Sequence, residues 1–560
     1  MAVQAPTSAA PRWMARRSAG ALGSRLIDLT GVVLLALLVV FLVWPIVTVL
    51  VMSVWGPDGL TLQFYRRFFT GYFYRSFLNT LLLGVLTTAV CITAGFCIAY
   101  LTTRGPRRLR APLKWITLLP LIAPPYIFAL ALIMLFGRSG FISRLLGLEI
   151  DIFGFPGVVL AQTLAFLPLA YLMIQNMLSS LDPGLEDSAS NLGASEATIL
   201  RTVVLPMLVP AFLKGMLIVY VMAVAEFGNV AILAGRTPFL APDIYTIVTG
   251  VETNFHMAGT LSVFLLLPVA AIFLVQNYFY RDKGYITISG KPTYSEPRPI
   301  GPALLLPMLL VAFVACGLIL LSFAVVGVGA FTKIVGINNA LTLQHIADQR
   351  SNLALITSLQ VSLLAGILGT ILGILIAYVV VRGKLKGRKL LEALCLAGFG
   401  MPGTVIGIGY LLTFNSPPLL LTGTMLILVL NSAFRFAAVG MEAGIAKLHQ
   451  LSIEVEEASR NLGAGTAVTF VRVVLPIIFP AAIYGFIYVF MTTMVSLSAV
   501  VFLTSPGYPL AAVFIFQWAQ YGYIGLASAT TVKVVAIVGV CLALIHYLSR
   551  WTGFGIVRKD

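Results

Sequence analysis

The chain has 560 residues, 59% of them apolar and only 10% charged, with a net charge of +16 and a mean hydropathy of +1.00. A soluble domain carries roughly 25% charged residues, so the composition excludes a soluble globular protein and indicates a polytopic membrane protein in a lipid bilayer. The excess of Lys and Arg lies between hydrophobic runs, where it reads as a topology signal and not as a nucleic-acid patch.

A bilayer core about 30 Å thick needs roughly 20 apolar residues per helix. In chain order, the N-terminal stretch carries Arg12, Arg16, Arg17 and Arg25. The apolar run after it is long enough to span, so it reads as a retained first helix. Spans are expected at 29–54, 76–101, 114–136, 156–178, 207–234 and 257–280. After a polar, Pro- and Gly-containing linker at 281–301, a second set is expected at 302–331, 352–381, 391–414, 418–438, 477–503 and 523–548. The expected division is a basic tail (1–28), a first repeat (29–280), the linker, a second repeat (302–548) and a C-terminal tail (549–560). With the N-terminus inside, 27 of the 36 Lys and Arg residues are cytoplasmic, among them Arg104, Arg107, Arg108, Arg382, Lys384 and Arg388. This three-to-one bias puts both termini in the cytoplasm.

The chain repeats itself. Leu181–Pro206 reads LDPGLEDSASNLGASEATILRTVVLP and Leu451–Pro476 reads LSIEVEEASRNLGAGTAVTFVRVVLP. A shift of 270 lays Glu186 and Asp187 on Glu456 and Glu457, and Gly193 on Gly463. The same shift lays Leu205 and Pro206 on Leu475 and Pro476. A shift of 278 lays Ala99-Tyr100 and Arg104-Gly105 on Ala377-Tyr378 and Arg382-Gly383, and Pro124 on Pro402. Six spans per half preserve orientation, which makes the halves parallel repeats. Each duplicated stretch reads as two short helices separated by a glycine free to take positive φ, with Asp182 and Ser452 as N-caps. Leu205-Pro206 and Leu475-Pro476 read as the start of the next span, proline being tolerated in a first turn.

These loops resemble the "EAA" loop of ABC-importer permeases, the cytoplasmic segment that docks on the ATPase. The whole chain resembles the fused permeases of ferric-iron ABC importers, and fused permeases of this kind also resemble those for thiamine and for phosphonates. The resemblance implies an all-α membrane protein of about twelve transmembrane helices, built as two parallel six-helix repeats of the type I importer fold in the bacterial inner membrane. It implies a periplasmic binding protein that delivers substrate, and an ABC ATPase subunit, as a homodimer, beneath the two loops. Glu186, Asp187, Glu456 and Glu457 are then an acidic face presented to the ATPase, with Gly193, Gly463, Leu205, Pro206, Leu475 and Pro476 shaping the docking element. No GxxxxGK[ST] phosphate loop occurs, so ATP hydrolysis is expected from a partner chain and no catalytic residue is expected here.

Charges inside a membrane are costly and default to functional candidates. Glu226 and Lys533 lie within expected spans, and Glu226 aligns with Ser496; all three are candidates for the translocation path. Arg435, beside Phe434 and Phe436 at the inner end of the tenth expected span, reads as an interfacial anchor. The five cysteines and four histidines show neither paired nor metal-ligand spacing, so no metal site, disulfide or cofactor is expected. An ion-driven secondary transporter would also have two parallel halves. The loops after its second and eighth spans, here TRGPRRLRAP and VRGKLKGRK, lack the acidic partner such carriers show.

Overall fold

The structure, a computed structural model, describes residues 12–56, 59–138, 140–147, 151–280 and 300–551. Most of the linker, 281–299, and the ends 1–11 and 552–560 lie outside these residues. Among the described residues, eleven helices are long and apolar enough to cross a membrane. A further helix pair, bent by 108°, makes twelve if it counts as one span.

The first repeat contains α1 (Arg25–Val54), α2 (Tyr72–Arg104), α3 (Arg107–Leu118), α4 (Ile127–Phe136) and α5 (Phe155–Ser180). It continues through α6 (Pro183–Asn191), α7 (Glu196–Ala225), α8 (Leu240–Thr249) and α9 (Phe255–Tyr280). The second repeats the order as α10 (Pro302–Ala330), α11 (Gln349–Arg382), α12 (Arg388–Gly400), α13 (Gly403–Thr413) and α14 (Met425–Gln450). It ends with α15 (Ile453–Asn461), α16 (Thr466–Val495), α17 (Ala511–Gln520) and α18 (Ile524–Trp551). A short antiparallel hairpin follows the first span of each repeat, pairing Trp55 with Leu60 and Thr332 with Leu341.

In each half the long α2 or α11 packs against the fourth and fifth spans, α5 and α7 or α14 and α16. Small residues permit this close approach, the substitute in lipid for a hydrophobic driving force. A Cβ added at Gly373 would stand 2.6 Å from Ala437 O, and one at Gly95 would stand 3.0 Å from Ala170 Cβ. Hydroxyls repeat the design: Thr80 Oγ1 accepts from Leu240 N at 3.0 Å, and Ser358 Oγ from Ala511 N at 2.8 Å. Each fixes the start of the short helix that follows the fifth span.

The first span of each repeat crosses to the other repeat. The end of α1 packs on α13, with Thr413 Oγ1 donating to Thr48 Oγ1 at 2.9 Å, while α10 packs on α4 and α18. The halves are thereby interlocked reciprocally.

Several expected boundaries are corrected. The continuous spans at 114–136 and 391–414 are each broken, at Pro124-Pro125 and at Met401-Pro402, because proline has no N–H to donate and pushes the preceding residue out of the helical region. The runs 207–234 and 477–503 begin earlier and stop at Ala225 and Val495. Pro206 and Pro476 therefore do not open their helices. Each follows a π turn, Leu200–Val204 and Phe470–Val474, where Leu205 N reaches Leu200 O and Leu475 N reaches Phe470 O. This wider turn accommodates the proline within a continuous helix. The span expected at 418–438 is shifted: it starts after the Thr424 cap, beyond Pro417-Pro418, and runs to Gln450.

Candidate functional site: two matched loops and two matched breaks

The loop α6 starts at Asp182, whose Oδ1 accepts from Gly184 N at 2.9 Å; Ser452 does the same for Glu454 N at 3.3 Å in α15. Both helices end alike. Gly193 has φ +84° and Gly463 φ +93°, in the left-handed region expected of them. Ala194 N then reaches Ala189 O at 3.1 Å and Gly193 N reaches Ser190 O at 2.9 Å. The counterparts, Ala464 N to Ser459 O at 3.2 Å and Gly463 N to Arg460 O at 3.0 Å, complete the same Schellman closure.

Two of the four acidic residues, Glu186 and Glu456, are not part of the presented face that the sequence suggested. Glu186 is 6% exposed and Glu456 is 2% exposed. Each is turned inward onto the arginine that ends the long helix of its own repeat. Arg104 Nε donates to Glu186 at 3.0 and 3.2 Å, and its Nη2 also meets Oε1. Arg382 Nε donates to Glu456 Oε1 at 2.6 Å, and Tyr378 Oη donates to Oε2 at 3.2 Å. Arg382 Nη2 further holds Leu451 O at 2.9 Å. Charge-assisted pairs of this kind fix geometry strongly when buried. The first acid of each adjacent acidic pair, Glu186 and Glu456, therefore clamps the loop to the membrane helices, while Asp187 is half-buried and Glu457 exposed.

Besides polar residues such as Asn191, Glu454 and Glu457, each loop presents apolar side chains outward. Leu192 is 89% exposed and Leu462 91% exposed, each directly before the positive-φ glycine. Leu185, Ile453 and Val455 add to the exposed apolar surface of the same helices. These leucines and the two arginines escaped the sequence reading. The arginines looked like topology charges, although a basic residue and an acidic residue recurring at matched places were a legible sign of a pair.

The second matched feature lies where the helices break. In the first repeat α7 ends at Glu226 (φ −74°, ψ 133°), and in the second α16 ends at Ser496 (φ −69°, ψ 134°). The broken third span meets each of these ends. A Cβ at Gly228 would stand 3.0 Å from Tyr126, next to Pro124-Pro125, and one at Gly403 would collide with Ser498. Glu226 caps the helix turn that follows, accepting from Asn229 N at 2.9 Å and Val230 N at 3.4 Å. Lys533 stands elsewhere, at the start of α11, donating to Ser351 Oγ at 2.9 Å and Asn352 Oδ1 at 2.7 Å.

A family model described as "Binding-protein-dependent transport system inner membrane component" matches residues 91–282 and again 369–552. The chain belongs to this family. The two matches start 278 residues apart and end 270 apart, the same two offsets that relate the repeats. The permease is 31% identical over 86% of its length to a putative ferric transport system permease protein FbpB 1 of Haemophilus influenzae, covering 79% of that protein. It is 30% identical over 89% of its length to ferric transport system permease protein FbpB of Actinobacillus pleuropneumoniae, covering 74%. A molybdenum transport system permease protein ModB of Mycobacterium bovis is 34% identical over 28% of this chain, covering 62% of that protein.

The permease is thus the multi-pass, inner-membrane part of a binding-protein-dependent ABC importer. It works with a substrate-binding protein and an ATPase, and ATP hydrolysis belongs to the separate ATPase subunits. The reading as an ion-driven secondary transporter is set aside by this membership.

Proposed function

We propose that this permease imports ferric iron handed over by a periplasmic binding protein. The observation that carries this reading is the similarity, along most of the chain, to two fused permeases named for ferric transport. The termini are cytoplasmic, for the basic-residue bias, and the repeats divide as 29–280 and 302–548 around the linker. The two loops couple ATP hydrolysis to the membrane helices. Because both have the same cap, the same closure and the same buried ion pair, one ATPase fold fits under both, which favours a homodimer. Force enters at Leu192, Leu462 and the loop helices, and passes through Glu186–Arg104 and Glu456–Arg382 into α2 and α11. Leu205-Pro206 and Leu475-Pro476 stiffen the roots of α7 and α16. Glu226 and Ser496 line the path at the helix breaks, and Lys533 anchors the outer end of α18.

Uptake of radiolabelled iron by cells carrying and lacking the gene tests the substrate. Iron uptake that is unchanged, alongside lost phosphonate or thiamine uptake, would transfer the assignment to those substrates. Orientation is tested by single cysteines at Leu192 and Val251, both exposed. Only position 251 should react with an impermeant reagent added to intact cells.

A further inference from the structure

Arg435 is not the interfacial anchor that its sequence position suggested. With α14 running from Met425 to Gln450, it lies ten residues in, about 15 Å along the helix and deep in the membrane. Its guanidinium reaches the break between α12 and α13, where Nη2 donates to Met401 O at 3.4 Å. A Cβ at Gly403 would stand 2.8 Å from Nη1 and would also meet Ser498, just beyond the end of α16. Both helix breaks of the second repeat therefore converge on this one side chain.

No carboxylate pairs with Arg435 among the described residues. Its charged and titratable surroundings reduce to Tyr488, whose ring packs on Phe436 while Phe436 itself lies 5.0 Å from the guanidinium carbon. Its Nε makes no hydrogen bond, and neither does Nδ2 of buried Asn431, one turn earlier on the same face. The first repeat has Ala165 and Ala161 at the matching positions, so the fold itself requires neither polar group. A fixed, uncompensated cation in a low-dielectric setting repels a bare trivalent cation and attracts an anion. The guanidinium fork suits carboxylate and phosphate oxygens in particular.

We propose that Arg435, assisted by Asn431, is an anion-recognition site in the translocation path, and that the transported species presents anionic oxygens to it. On the ferric reading above, on which that part rests, iron crosses together with its anionic oxygen ligands. A free oxyanion offers the same chemistry without iron.

The test uses the permease reconstituted in proteoliposomes with its ATPase and binding protein. Radiolabelled ferric iron and radiolabelled phosphate are supplied separately and together to the wild type, Arg435→Gln and Arg435→Lys. The expected result is iron uptake that needs the accompanying anion and falls about tenfold or more in the Gln variant, with partial rescue by Lys, which keeps the charge and loses the fork. Pull-down of the ATPase monitors assembly. Wild-type rates in the Gln variant overturn the site. So does equal loss in the Gln and Lys variants together with failed assembly, since that marks a packing role. Phosphate uptake without iron, still sensitive to Arg435→Gln, upholds the site and removes iron. Iron uptake that ignores both the anion and Arg435 keeps iron and removes the site.

Discussion

Glu456 lies with its carboxylate 2.6 Å from Nε of Arg382, although 74 residues separate them in the chain. Arg104 and Glu186 make the same pair in the other repeat, 82 residues apart. Each pair joins the C-terminal end of the longest helix of its repeat to the loop helix α6 or α15, so under the proposed coupling role it transmits displacement in either direction.

Breaking such a pair leaves one charge buried and uncompensated, which costs about 3–5 kcal/mol. Glu456→Gln should uncouple binding-protein-stimulated ATP hydrolysis from transport, and Arg382→Met should do the same. The double variant Arg382→Met, Glu456→Leu should recover part of the loss, because neither charge is then stranded. A double-mutant cycle on transport rates measures this, and strictly additive losses would remove the coupling between the two residues. Glu457→Lys, on an exposed residue, should give a smaller defect that varies with salt.

The positive φ of Gly193 and Gly463 makes a separate prediction. Nothing lies within 4 Å of a Cβ built at either position, so any effect of substitution there is conformational and not steric. A Val in this region costs about 1–2 kcal/mol or more, whereas Asn adopts it more readily. Gly193→Val with Gly463→Val should lower stimulated ATPase activity while the protein inserts normally, and the Asn pair should lie close to wild type. Normal transport by the Val pair would take the turn out of the coupling path.

Leu192 and Leu462 touch little within the permease, so changing them should leave its thermal stability unaltered. Against the ATPase they are candidates for interface anchors, where truncation costs about 2 kcal/mol or more. Leu192→Asp with Leu462→Asp should abolish pull-down of the ATPase with no change in melting temperature. Retained pull-down would place the contact elsewhere on the loops.

Asp243, in the short helix α8, accepts hydrogen bonds from Tyr72 Oη at 3.1 Å and from Ser76 Oγ. Burial pushes its pKa up to about 6, against the two hydrogen bonds that favour the ionised form. A carboxyl whose pKa is raised in the packed contact between α8 and α2 stabilises that contact most when protonated. The tether between α8 and α2 should therefore loosen as pH rises from about 4 to about 6 and change little above that. Hydrogen exchange of α8 across this range reports it, and Asp243→Asn should give a flat profile.

The sequence by itself determined the features that depend on period, composition and duplication. Long apolar runs specify membrane helices, because lipid offers no partner for an unbonded backbone. The repeated loop, with its acid, its glycine and its proline, determined the family. The φ of Gly193 and Gly463 was legible because one residue type alone takes that conformation cheaply. Only the tertiary structure decided which charge meets which. Arg104 and Arg382 look in sequence like any basic residue at the inner edge of a span, and their pairing with Glu186 and Glu456 exists only once α2 packs beside α5 and α11 beside α14. It also decided where the spans break, since Pro112, Pro168, Pro210 and Pro268 sit inside helices while Pro124 and Pro402 mark interruptions. A proline in lipid is tolerated or not according to what the neighbouring helices offer its freed carbonyl, and that is a property of packing and not of local sequence.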